Sequence, residues 1–259
     1  MSKTVRHIIN AVSAVLLAGC LSAAYVFGVS CRKPLECTGL TVVIADSSVN
    51  SFVSAADIRK YLDKEYGSYV GEPLDSIDLA KVERIIDGRS AVHKSQAYTT
   101  RDGKLNISVT QRTPMVRFQK SDGGFYADAE GFLFPLQNSY SSRVQVVDGD
   151  IPLKANSGYK GELSDEKEKE WLNNILEVIK FMEGSKVWKD KIVQITVHDQ
   201  GELTLVPREG KERFLFGQPE NISEKFRKME MYYRSILPEK GSDAYTTVSV
   251  EYDGQIVCR

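Results

Sequence analysis

An α+β fold is predicted, in which a single N-terminal transmembrane helix precedes a small βααββ module and an antiparallel β-rich domain with flanking helices. Three observations predict it. Residues 8–29 run for 22 positions without a charged side chain, and a helix of that length spans ~33 Å, enough to cross a bilayer. Residues 40–110 carry strand and helix patterns in the order strand, helix, helix, strand, strand. Beyond Pro114, short strand-like runs are separated by Gly, Asp and Ser turns, with two longer helical patterns among them.

The apolar stretch organises the rest. It predicts a cytoplasmic head of residues 1–7, a span at 8–29, a linker and module at 30–112 and a C-terminal β domain at 113–259. Lys3 and Arg6 precede the span and Arg32 and Lys33 follow it, so the local positive-inside balance is a tie. A head this short stays inside, and a long tail is translocated largely regardless of its charge. The expected topology is a cytoplasmic N-terminus with the bulk in the periplasm. Leu17-Ala18-Gly19-Cys20 inside the span also fits a lipoprotein box with an acylatable Cys20. Against cleavage, Leu21, Ala23, Ala24, Tyr25, Val26 and Phe27 continue the apolar run where a polar tether would begin.

Of 259 residues, 34 are basic and 35 acidic, a net charge of -1 without a long run of one sign. Nothing there favours nucleic acid as a partner. Hydrophobic residues at 42% and the lack of low-complexity tracts predict folded domains beyond the span. Four cysteines are too few for a disulfide scaffold. Cys31 and Cys37 are close enough in sequence to close a small loop or to remain free, and Cys258 has no evident mate.

In order after the span, Leu40 to Ile44 is β-branched and reads as a strand. Ser54 and Asp57 form a capping-box pair ahead of Ile58, Tyr61 and Leu62 at helical spacing. Asp78 is placed to cap a second helix with Leu79, Val82, Ile85 and Ile86 on one face. Val92 to Thr100 and Lys104 to Thr110 are strands joined through Asp102-Gly103, with Leu105, Ile107 and Val109 pointing inward. The C-terminal part begins with short strands at 115–119, 124–128, 131–136 and 143–147, and residues 149–161 read as a loop. A helix opened by Ser164 and Lys167 follows, lined by Trp171, Ile175, Val178, Ile179 and Met182. A meander then runs through 192–198, 202–207 and 213–216. A second helix starts at Ser223, with Glu224/Lys228 and Glu230/Arg234 at ion-pair spacing. Thr246 to Tyr252 is a strand, Asp253-Gly254 a turn, and Gln255 to Arg259 a last extended piece.

The chemistry-bearing motifs are nearly absent. There is no glycine-rich phosphate loop, no Gly-x-Ser-x-Gly elbow, no His-Glu-x-x-His and no paired-Cys metal spacing. No cofactor, metal or catalytic residue is therefore assigned. His93 and His198 stand alone beside strands, and a solitary imidazole is more often a satisfied one than a ligand. Phe125, Tyr126, Phe132 and Phe134 at strand spacing read as core. What remains distinctive is the last strand, where Val248, Val250 and Tyr252 alternate with Thr247, Ser249 and Glu251. A terminal strand is often a sheet edge, whose unpaired backbone another chain can complete or which a charge such as Glu251 keeps solitary.

The order of parts is similar to the bacterial cell-division FtsQ (DivIB) family, whose first outer module is a POTRA domain. Val109-Thr110-Gln111-Arg112-Thr113-Pro114-Met115-Val116-Arg117-Phe118 resembles that family's V-x-E-R-x-P-x-A-x-W passage between its two outer domains. Gly124 to Phe134 resembles its W-x-L-V-D-x-x-G-x-x-F hairpin. Val146 to Gly149 stands where a P-x-L-x-G passage is expected, Phe216-Gly217 with the helix to Leu237 resembles its L-G … K-L element, and Thr247 to Arg259 its closing strand. Gln111 replaces a usual Glu, and Phe118 and Phe125 stand where Trp is common.

The resemblance implies a non-enzymatic divisome scaffold of the inner membrane at the septum, recruiting and regulating septal wall synthesis. It implies that the C-terminal strand pairs by β-augmentation with a small coiled-coil division protein of the FtsB/FtsL type, while the POTRA module and membrane helix serve other divisome proteins. The partner-binding residues it points to are Thr246, Thr247, Val248, Ser249, Val250, Glu251 and Tyr252, with Gln255, Ile256 and Val257 beyond the turn. Proline at Val250 is the expected disruptive change. Competing readings are an acylated lipoprotein, an anchored periplasmic enzyme, or a POTRA-containing envelope assembly factor. The last calls for a following membrane barrel, and no series of alternating ~10-residue strands is present.

Overall fold

The computed structural model of the chain describes residues 3–30, 34–48, 51–138, 140–241 and 244–259. Helix α1 (Lys3–Ser30) is 28 residues long, and its side chains from 12 to 27 are all exposed. Among the described residues, no helix is long and apolar enough to cross a membrane. The expected span reaches past them: the side chains at 8–11 and 28–29 lie outside the described residues, as does Cys31 of the expected Cys31–Cys37 pair. Cys37 is a buried free thiol whose Sγ donates to the Gly39 carbonyl at 3.6 Å.

The first folded unit is built from β1 (Gly39–Ile44), α2 (Ala55–Glu65), α3 (Leu79–Asp87), β2 (Val92–Thr99) and β3 (Lys104–Gln111). Its sheet order is β1-β3-β2, with β1 parallel and β2 antiparallel to the central β3. Parallel pairing requires a crossover, and α2 and α3 belong to it. The caps read from the sequence form: the Ser54 hydroxyl accepts from the Asp57 amide while Asp57 accepts from the Ser54 amide, and Asp78 accepts from the Lys81 amide. Ile58, Leu62, Val82 and Ile86 from the helices pack with Leu105, Ile107 and Val109 of β3.

The second unit contains β4 (Pro114–Lys120), β5 (Gly123–Asp128), β6 (Leu133–Pro135), β7 (Gln145–Gly149), α4 (Glu166–Gly184), β8 (Ile192–Val197), β9 (Leu203–Pro207), β10 (Arg213–Gly217), α5 (Ile222–Met231), α6 (Leu237–Lys240), β11 (Thr247–Ser249) and β12 (Val257–Cys258). A π-helical turn, Tyr232–Ile236, joins α5 to α6. One nine-stranded sheet results, ordered β12-β11-β10-β9-β8-β7-β4-β5-β6.

The sheet is mixed, which corrects the expectation of an antiparallel one. β4–β7, β7–β8 and β10–β11 are parallel. The reason is connectivity: α4 carries the chain from β7 to β8 and α5 from β10 to β11, and a helical crossover returns the chain in the same direction. The helices cover one face, where Ile175, Ile179 and Met182 of α4 and Phe226 and Met229 of α5 meet Ile195, Leu205, Phe214 and Val248.

The two units share a core. Tyr126 and Phe134, on the sheet face opposite the helices, pack into the first unit, where Phe52 meets their rings at 5.6 and 5.9 Å and that of Tyr140 at 4.9 Å. Beside this cluster the Arg112 guanidinium donates to Asp128 Oδ2 at 2.7 Å and lies 3.4 Å from the Phe132 ring centroid. Asp128 uses its other oxygen to accept from the amides of Glu130 and Phe132. Lys160 Nζ donates to the Asp87 and Gly88 carbonyls at the end of α3.

Candidate functional site

Among the described residues no cluster of His, Cys, Asp and Glu is arranged to hold a metal ion. His198 Nε2 lies 2.9 Å from the Thr204 hydroxyl, a satisfied imidazole. Phe125, Tyr126 and Phe134 are core, as their spacing predicts, whereas Phe132 is only half-buried, with the Arg112 guanidinium over its ring. An open cleft of about 470 Å³ is lined by Lys189, Lys191, Arg208 and Tyr233, but Arg208 is spent on the Asp190 carbonyl and Lys191 lies over the Trp188 and Tyr233 rings.

The ends of the long sheet differ. At the β6 end, Leu133 exchanges backbone hydrogen bonds with Gly161, so a loop covers that edge. At the other end, β11 pairs parallel to β10 and antiparallel to β12. The residues singled out from the sequence are thus divided between an inner and an outer strand. Thr247, Val248 and Ser249 form β11, with Val248 and Ser249 buried. Val250 is also buried, and its amide donates to the Leu215 carbonyl at 3.0 Å. Thr246 is exposed, and its amide donates to the Arg259 carbonyl at 2.9 Å. Glu251 is half-buried against Gly217, whose left-handed backbone at φ +67 leaves 3.0 Å between a would-be Cβ and Glu251 Cγ. Tyr252 is exposed, Gln255 is exposed, and Ile256 and Val257 are half-buried.

The outermost strand is therefore β12. Its register explains which groups it leaves free. Thr247 and Arg259 exchange both backbone bonds, at 3.1 and 2.9 Å, and antiparallel ladders alternate bonded with non-bonded pairs. Val248 opposite Cys258 is then a non-bonded pair, which turns the Cys258 N–H and C=O away from β11. Its side chain points inward, where burial pushes the thiol pKa up. The adjoining Tyr232 hydroxyl is raised by burial and then by Glu212 and Cys258.

Two lysines of α5 pin the chain around this edge. Lys225 Nζ donates to the Gln218 carbonyl at 2.7 Å and lies 5.0 Å from the Phe216 ring centroid, and burial lowers its pKa. Lys228 Nζ donates to the carbonyls of Val250 and Tyr252 at 3.2 and 2.6 Å. Sequence reasoning read Lys228 only as an ion-pair partner of Glu224, a contact that exists at 3.5 Å, and it passed over Cys258. The signal for Lys228 was its position on the apolar side of α5 beside Met229, which a solvent-facing lysine would not occupy.

Compared with the curated proteins, the chain finds no match. Compared with known families, residues 35–110 match the POTRA-like domain, and residues 113–259 match the family described as FtsQ/DivIB, C-terminal related. The second match takes in the whole nine-stranded sheet and both helices on it, more than half of the chain. With a POTRA-like module ahead of that sheet, the chain belongs to the FtsQ/DivIB family and has a division-related scaffold role.

Proposed function

We propose that the chain is a non-enzymatic, bitopic divisome scaffold that captures a small coiled-coil division protein of the FtsB/FtsL type by strand addition along β12. In this reading residues 8–29 anchor it in the bacterial inner membrane, residues 1–7 face the cytoplasm, and the two folded units stand in the periplasm at the septum. The POTRA-like module and the membrane helix serve other divisome proteins, and the captured partner links the scaffold to septal wall synthesis. Two features of α1 favour an uncleaved anchor: the helix continues for ten residues past Cys20, and its side chains from 12 to 27 face outward.

The observation that carries strand addition is the outward backbone of β12. The opposite sheet edge is closed by Gly161, whereas Cys258 offers one donor and one acceptor to an incoming strand, flanked by half-buried Ile256 and Val257. An extended segment gains main-chain hydrogen bonds there, and alternate side chains supply specificity.

The geometry also selects the variant that tests it. Val250→Pro would remove the Val250 amide bond to Leu215 inside the sheet, and so confound loss of the partner with loss of the fold. Cys258→Pro removes the outward N–H, at a position where edge strands accept proline, and exchanges a half-buried thiol for the proline ring without breaking a bond of the ladder. Co-purification of the full chain with the co-expressed coiled-coil division protein should fall at least about tenfold in Cys258→Pro, the order of one lost hydrogen bond with steric obstruction added. Unimpaired co-purification would sink strand addition at this edge.

A further inference from the structure

We propose that Lys228 is the positioning residue of this edge: its buried ammonium holds the reversal between β11 and β12, and thereby fixes the backbone that a partner strand pairs with. The inference rests on the strand-addition reading and adds the residue that controls it.

The reversal is an awkward piece of chain. After Ser249 it must leave the sheet, turn at Asp253-Gly254, where Gly254 adopts φ +70, and bring Val257 back opposite Ser249. β12 is only two residues long, with Arg259 continuing its ladder through Thr247. So short a ladder holds little by itself. Leaving the sheet also turns the carbonyls of Val250 and Tyr252 toward α5, where both meet Lys228 Nζ.

Lys228 suits this role in burial, donor count and charge. Its side chain is 7% exposed, so the ammonium is removed from water. An ammonium has three donors and no acceptor. Two of them reach Val250 O and Tyr252 O, and a carboxylate oxygen of Glu224 one helical turn earlier lies 3.5 Å from the ammonium as an ion pair. The carboxylate balances the charge, while the two carbonyls tie residues on either side of Glu251 to a helix that is itself packed into the core through Phe226 and Met229. Hydrogen bonds from a charged donor are stronger than neutral ones, so the tie is concentrated in one side chain. Lys225, three residues earlier, holds the Gln218 carbonyl instead, just past the end of β10 that lies beside Glu251.

The test uses the full chain in detergent and the variant Lys228→Met, which keeps the length of the side chain and removes the donors. Amide hydrogen exchange is followed without any partner. Exchange at Val257, Arg259 and Thr247 should quicken about ten- to a hundredfold, while amides of β8 and β9 keep their protection, because one lost anchor opens one local segment. An unchanged rate at β12, or a loss spread evenly over β8, β9, β11 and β12, would overturn the proposal, the latter marking Lys228 as a general stabiliser.

Co-purification with the co-expressed coiled-coil division protein supplies the second readout. It should fall in Lys228→Met alongside the exchange protection; retained capture with a loosened β12 would equally overturn the positioning role. Cys258→Pro is run in parallel. If it leaves capture intact, strand addition itself fails, and the exchange result still decides whether Lys228 holds the reversal.

Discussion

Ser54 and Asp57 show how much a single turn of helix takes from two side chains. Asp57 accepts from both the hydroxyl and the amide of Ser54, at 2.6 and 3.1 Å, and these bonds, the hydroxyl first, hold its carboxyl below the ordinary aspartate pKa. A group whose folded pKa is depressed stabilises the fold above its unfolded pKa, and that contribution is lost as pH falls through the folded value. The cap's electrostatic part is therefore complete above about pH 5 and fades below about pH 4, the ordinary aspartate range. Ser54→Ala should return the Asp57 pKa toward the ordinary value, read by titration of its side-chain carbon shift. It should also lower stability by about 1 kcal/mol near neutral pH, the usual worth of an N-cap. A pKa that stays depressed in Ser54→Ala would place its cause elsewhere.

At the scale of elements, the way the chain leaves β7 depends on Gly149. This residue has φ +88, and a Cβ on it would collide with the Val197 carbonyl of the neighbouring parallel strand. Both the backbone and the space demand glycine. Gly149→Ala should therefore lower the unfolding free energy by about 2–4 kcal/mol, as strain at positive φ adds to displacement of β8. Urea denaturation reads this as a lower midpoint at unchanged slope, and an unchanged midpoint would show that the strands slide apart freely.

The same element shows where sequence reasoning stopped. Residues 143–147 read as a strand and 149–161 as a loop, and a glycine at 149 fitted a family passage, but nothing in 143–149 announces that β7 lies between β4 and β8 with both pairings parallel. Pairing partners are set by the crossover of α4, a long-range fact, whereas strand character is local. β1, the two capped helices and the β2–β3 hairpin were legible because caps, alternation and an Asp-Gly turn are written in adjacent residues. The β12 edge was half legible. Val257 stood out with its neighbours, but the division of labour between β11 and β12 needed the register. Glu230 illustrates a further limit: it accepts from the Trp188 indole at 3.1 Å, and the π-helical turn beginning at Tyr232 breaks the four-residue spacing that paired it with Arg234.

Over the whole molecule, the two folded units are held by a shared aromatic cluster and one nearly buried ion pair. Arg112 and Asp128 have side chains 11% and 9% exposed, and Asp128 also shapes the β5–β6 turn, so the clamp ties the end of the first unit to the hairpin that touches it. Phe52 closes the contact by inserting between Tyr126, Phe134 and Tyr140. Both tryptophans, Trp171 and Trp188, sit in the second unit, so their fluorescence reports that unit, whereas far-ultraviolet circular dichroism reports both. In the native chain the two signals should unfold together, because the cores overlap. Phe52→Ala removes about 3–5 kcal/mol of packing, and that loss falls on the smaller unit, whose core has fewer side chains to spare. Its transition should move to lower urea and separate from the fluorescence transition, giving a circular-dichroism curve with two steps. Two signals that still coincide in Phe52→Ala would mean that the Arg112–Asp128 clamp and the Lys160 contacts at the end of α3 suffice to couple the units, and that the angle between module and sheet is fixed by polar contacts rather than by the aromatic cluster.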